Sequence, residues 1–160
     1  MSIVIRSGKQ GDMPWIVALL QEGAQQGHFG PTIANQAAPL LNAIFNGGGF
    51  MMMKLRGGIQ APCFVTAAVL VAEIDGTPAS FLIPLKDGNE VELHLAGTRK
   101  QFRRNGCFRE LTRHEVGKHT TKVKIFARCY KKSTWAVEAL KKENFEITKS
   151  GDPLELSLSR

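Results

Sequence analysis

QFRRNGCF, residues 101–108, joins two adjacent arginines to an Asn-Gly pair and then an amphipathic run. That is the make-up of a loop entering a helix at its N-terminus. Free backbone N–H groups at a helix start, the positive end of the helix dipole and the cations Arg99, Lys100, Arg103 and Arg104 together suit an anion. A solvated basic loop is the alternative that charge alone leaves open. A second constellation is NEVELHL, residues 89–95. Strand alternation predicts Val91, Leu93 and Leu95 on one face and Glu90, Glu92 and His94 on the other. Glu92 or His94 could then act as a general base, directly or through water, or simply belong to an exposed polar face.

The other candidates are plainer. His28, in QGHFG, reads as a surface histidine between two helices, with acceptor contact as the functional alternative. His114 and His119 read as solvated, with no acidic or cysteine partners at ligand spacing. Met51, Met52 and Met53 read as adaptable packing or as the lining of an apolar pocket. Trp15 and Trp135 fall at helical spacing with other apolar residues and read as core.

Elements must position these groups, and the composition permits them. The 160 residues are 43% hydrophobic, enough for one domain spanning 1–160 with a true core. A net charge of +7 favours polyanionic partners: nucleic acid, an acidic protein or a phosphorylated cofactor. Aromatic residues are only 8%, and those near the basic loop, Phe102 and Phe108, read as buried, which disfavours nucleic acid. Cys63, Cys107 and Cys129 share no CxxC spacing, which argues against a disulfide framework or a metal site and for a reducing cytoplasm. Neither a signal peptide nor a membrane span is expected.

SIVIR reads as a strand, and Asp12 is placed to cap a helix through MPWIVALLQEGAQQG with Pro14 in its first turn. Pro31 or Thr32 opens a second helix, in which Pro39 predicts a kink or a break. MMMKLRGGIQAPC reads as an irregular connector or a short edge strand. FVTAAVLVAEID, PASFLIPL and EVELHLAGT form an antiparallel meander through the turns DGTP and KDGN. A helix from Gly106 to about Gly117, the strand KVKIFARCY, the helix STWAVEALKKEN and the strands FEI and PLELSLS complete the chain. KVKIFARCY should lie parallel to EVELHLAGT, so the basic loop sits at a crossover, where sheets of this kind bind ligands.

QFRRNGCF resembles the pyrophosphate loop of the GNAT superfamily of acyl-CoA-dependent N-acyltransferases, Gln/Arg-x-x-Gly-x-Gly/Ala. Arg103 and Gly106 match, Phe102 matches a frequent preceding aromatic, and Phe108 replaces the final small residue. STWAVEALKKENF is similar to the family's Asn-x-x-Ala-x-x-x-Tyr-x-x-x-Gly-Phe. Ala136 and Phe145 match, while Ser133, Leu140 and Asn144 stand for Asn, Tyr and Gly. The element order agrees along the whole chain. The resemblance implies an α/β (α+β) fold: a mixed, mostly antiparallel sheet of about six to seven strands flanked by about four helices. It implies transfer of an acetyl or other acyl group from acetyl-CoA, without a metal, to a small-molecule or protein amine by direct attack in a ternary complex. Ala96, Gly97 and Thr98 would bind the pantetheine, and Arg103, Arg104, Asn105, Gly106, Cys107 and Phe108 the pyrophosphate, with Ser133 also at the cofactor. Glu92 and His94 are the catalytic candidates, and Cys129 or Tyr130 is the candidate to replace the missing tyrosine as acid. The other reading is a GNAT-like module impaired in catalysis that binds CoA, protein or nucleic acid through its basic face; a homodimer is left open in either case.

Overall fold

Strands read as unbroken apolar runs when helices cover both faces of a sheet, and LVAEI and SFLIPL are such runs. The computed structural model, which describes residues 1–160, gives these segments that environment. β1 (Ile3–Ser7) leads to α1 (Met13–Gln25) and α2 (Ile33–Gly47), then to the hairpin of β2 (Gly49–Arg56) and β3 (Ile59–Ala67). β4 (Leu70–Ile74), β5 (Thr77–Asp87) and β6 (Glu90–Thr98) form the meander. They are followed by α3 (Cys107–Val116), β7 (Lys124–Cys129), α4 (Thr134–Lys142), β8 (Phe145–Lys149) and β9 (Leu154–Leu158).

Seven strands lie in the order β1-β4-β5-β6-β7-β9-β8, and the β2–β3 hairpin joins them to make nine. Only β6 and β7 pair in parallel. One face packs under α1 and α2 through Ile16, Leu20, Leu41, Val71, Phe81 and Ile83. The other packs under α3 and α4 through Leu70, Leu82, Leu111, Ile125, Val137 and Leu140. Asp75 and Gly76 turn β4 into β5 with φ of 49° and 84°, the left-handed pair that a two-residue hairpin needs.

Four readings change. The segment at 51–63 is a regular hairpin that pairs Met51 with Phe64 and Met53 with Pro62, and it meets β5 through Thr66 and Ala67. Residues 64–74 accordingly divide between β3 and β4. α2 runs through Pro39 as one helix. Asp12 precedes α1 but its side chain accepts no capping bond from the α1 backbone. Its carboxylate instead accepts bidentate bonds from Arg6 (2.8 and 3.0 Å), one from the Lys9 amide (2.9 Å) and one from the Trp15 indole (3.0 Å). β1, the turn and α1 are thus fastened at one buried charge.

Burial raises the Asp12 carboxyl, but the bonds from Arg6, Lys9 and Trp15 outweigh it and hold the group at about 2. A depressed carboxyl stabilises the fold above the unfolded value, and that stability is lost as pH falls through the folded value. Asp12→Asn should therefore cost about 2 kcal/mol at neutral pH. In denaturant titrations the gap from wild type should close between pH 4 and pH 2; a gap that persists there would show that the charge is not its source.

Candidate active site

The parallel pairing of β6 with β7 covers Glu90–Lys124, Val91–Ile125 and Glu92–Phe126 and then stops, although both strands continue. Beyond Glu92, β6 has no strand on its β7 side. A cleft of about 690 Å³ opens at the C-terminal end of β6. Its walls are α1 and the following loop, residues 96–98 of β6, residues 102–109 and one face of α4. A smaller recess of about 60 Å³ lies between the parted strands, lined by Leu93, His94, Ala127, Cys129 and Ser133 among others. His28, Phe29, Ala96, Phe108 and Trp135 border both spaces.

The crossover loop is built to leave its amides open. The backbone N–H groups of residues 104–109 donate to no protein acceptor; the first amide bond within reach of α3 runs from Glu110 to the Gly106 carbonyl. Asn105 shapes the turn by donating to the Phe102 carbonyl (3.0 Å), and Arg103 donates to the Thr98 carbonyl (3.3 Å). Arg104 and Gly106 both hold left-handed backbone, with φ of 66° and 85°. Arg103, Arg104 and Arg109 stay exposed around these amides. Arg99 does not join them: it donates to the Pro78 carbonyl at 3.0 Å and lies over the Trp15 ring, clamping the end of β6. An anion fits this cradle of amides, helix N-terminus and guanidinium groups.

Ala96, Gly97, Thr98, Arg103, Arg104, Asn105, Gly106, Cys107 and Phe108 all line the cleft. Ser133 does not: it is buried beside the recess, with its Oγ 2.6 Å from His28 Nδ1. Phe108 is half-buried against the α3-side core and meets Trp135 edge-on, with ring centroids 5.6 Å apart. Trp135 is 46% exposed on the cleft wall, not core as its spacing predicted, whereas Trp15 packs edge-on to Phe81.

The Glu92–His94 pair carries a second correction. Leu95 pairs with Ile83 and Leu93 with Pro84, so His94 is the extra residue of a β-bulge. The bulge reverses the alternation. Val91 and Leu93 face the α3 side while Leu95 faces α1 and α2. His94 borders the recess, and its Nδ1 lies 3.0 Å from Glu92 Oε2. Glu92 is buried and lines neither space. Burial raises its carboxyl, but His94, Arg128 and Lys54 outweigh this and leave it below the ordinary value.

Leu140, at the expected tyrosine position, is core and borders the recess. Cys129 also borders it, and burial pushes its thiol up to about 11. His119 is bonded to buried Glu115 at 2.6 Å and not solvated, while His114 is exposed. No group of three or more His, Cys, Asp or Glu side chains comes together to hold a metal ion. No helix is long and apolar enough to cross a membrane.

The same architecture recurs among solved structures. The PaiA N-acetyltransferase from Thermoplasma acidophilum, in complex with coenzyme A, superposes with a TM-score of 0.70 at 15% identity over 100% of both chains. The chain has the GNAT fold. An acetyltransferase of the GNAT family from Streptococcus pneumoniae matches with a TM-score of 0.63 at 13% identity, covering 98% of this chain and 96% of that one. Nourseothricin acetyltransferase gives 0.62 at 14% identity, over 99% of this chain and 98% of that one. No protein-family model matches the sequence, and no curated protein matches it. The β2–β3 hairpin is an addition to the element order expected from the sequence, and it stands before the meander.

The contact of His28 with Ser133 spans 105 residues, and no local pattern in the sequence announces it. Burial lowers the His28 imidazole below its ordinary value, and Lys132 and Arg103 lower it further. A ring that resists protonation in the fold leaves stability falling as pH drops below about 6.5, the unfolded value. His28→Gln should flatten that dependence between pH 7 and pH 5, measured by chemical denaturation. An undiminished slope would place its source in another group.

Proposed function

We propose that this chain is an acyl-CoA-dependent N-acyltransferase that uses acetyl-CoA, with the amine attacking directly in a ternary complex. The observation that carries the reading is the run of open amides at 104–109, set on the cleft where β6 and β7 part. Those amides, with Arg103 and Arg104 beside them, would hold the pyrophosphate, and residues 96–98 would bind the pantetheine. The bound thioester supplies an activated carbonyl.

The recess suits a small acyl group. At about 60 Å³ beside a cleft of about 690 Å³ it is the smaller of the two spaces, and we assign the acyl group to it. His94 is the favoured base. An ionised Glu92 only accepts hydrogen bonds, so the bond between them is donated by His94 Nδ1–H. In the neutral ring Nε2 is then free to take the amine proton, directly or through water. Glu92, with a depressed carboxyl and no place on either space, orients the ring. The acceptor is a small-molecule or protein amine reaching the recess past His28 and Phe29.

Titration calorimetry with acetyl-CoA and CoA tests binding. At 100 times the dissociation constant, the ligand should stabilise the fold by about 2.7 kcal/mol. Gly106→Val should abolish binding, because φ of 85° strains a β-branched residue and its Cβ would come within 2.9 Å of the Arg109 guanidinium beside the open amides. Arg103→Ala and Arg104→Ala should weaken binding less, with losses that shrink as salt rises. Intact binding in a folded Gly106→Val protein would remove the loop from the reading.

Release of free thiol from acetyl-CoA, followed with small amines and peptide N-termini, tests transfer. His94→Gln should lower kcat by about 10²–10⁴-fold with CoA affinity kept. Glu92→Gln should lower it less and shift the pH profile. The absence of a tyrosine at Leu140 favours a second reading, a CoA-binding module silent in catalysis. Tight CoA binding without thiol release from any amine would select it.

A further inference from the structure

We propose that the outer face of the β2–β3 hairpin is a self-association surface, packed face to face against the same face of a second copy of this chain. Alternation on this hairpin divides its residues cleanly. Phe50, Met52 and Val65 turn inward to the α1–α2 core, whereas Met51, Met53 and Leu55 on β2 and Phe64 on β3 turn outward. These four are 59%, 61%, 66% and 54% exposed, and cross-strand pairing of Met51 with Phe64 and Met53 with Pro62 makes them contiguous.

Charge selects a second copy as the occupant. The hairpin carries only Lys54 and Arg56, and both are bound to Asp87, at 3.1 and 2.6 Å. The face is therefore close to neutral in a chain of net charge +7. Contact through this face therefore sets no unpaired like charges against each other, despite the net charge of each copy. A polyanion finds no free cation on the hairpin itself, and only Lys86, paired with Thr66, borders it. The area is sufficient: the four outward side chains expose on the order of 500 Å² per copy, so a two-fold contact buries about 1,000 Å² before Pro62 and Gln60 are added, the lower bound for a specific interface. Unbranched methionines suit such a contact because they adapt to each other's shape. A two-fold axis near Met53 closes the assembly at two copies and leaves no apolar face for a third. This surface is independent of any acyl transfer.

Sedimentation velocity and light scattering on the full chain decide it. The wild type should show twice the 17.6 kDa chain mass at micromolar concentration, dissociating on dilution. Met53→Glu and Leu55→Glu, each at an exposed site and so without effect on folding by circular dichroism, should give a single-chain mass under the same conditions. Met53→Cys should form a disulfide-linked dimer on mild oxidation, where the wild type forms none. A wild type that stays monomeric at high micromolar concentration would overturn the proposal, as would glutamate variants that remain dimers. Flotation of a monomeric wild type with neutral phosphatidylcholine vesicles would also overturn it, by assigning the face to lipid.

Discussion

Two parallel strands that pair for three residues and then part impose a debt on the fold: their backbone groups beyond Phe126 and Glu92 face each other without bonding. Buried backbone polar groups need partners, so the gap must open to water or to a ligand. Here it opens into both the recess and the cleft. The parallel pairing also forces a crossover, which places α3 over the sheet with its N-terminus at the mouth of the gap. A single topological fact thus brings together the free strand edge, the open amides of 104–109 and the exposed arginines.

The bulge at His94 serves the same gap. Without it, the outward set of β6 would continue past residue 93, and Leu95 would face α3 in place of filling the core beneath α1 and α2. The extra residue keeps both cores packed and leaves the imidazole at the turning point, bordering the recess and tied to Glu92. Bulges near sites re-aim side chains in this way. Gly97 extends the logic: a Cβ there would come within 2.9 Å of the Phe81 ring, so the missing side chain makes room for that ring under the end of β6.

Local signals explain what could be read in advance. The helix starts, the Asp75–Gly76 turn and the crossover loop depend on residues a few positions apart, and the sequence shows these directly. Long-range partners do not show. Asp12 has the composition of a helix cap, but Arg6 and Glu73 on neighbouring strands make it part of a buried ionic cluster. The bulge at His94 depends on the register of β5, not on anything within NEVELHL. The hairpin was obscured because its outer row is apolar, which removes the alternation that marks a half-exposed strand. Cleft residues 103–108 were legible as a loop and 96–98 as the end of a strand; Ser133 and His28 meet only in three dimensions.

Two of the departures from the GNAT pattern meet in space. Phe108 occupies a position where the pattern has a small residue, and Leu140 one where it has tyrosine, and both border the same recess. Relative to that pattern, a ring on α3 stands beside the position on α4 that lacks one. Exchanges that conserve volume are the ones packed interiors tolerate best. The ring also finds support in its new place, edge-on to Trp135. The hydroxyl is not recovered by this exchange, because phenylalanine carries none. The protons around the recess therefore reside on other groups: the Ser133 hydroxyl bonded to His28, the His94 ring, and the Cys129 thiol, which burial keeps protonated. These groups, with water, are the hydrogen-bearing groups that the recess offers.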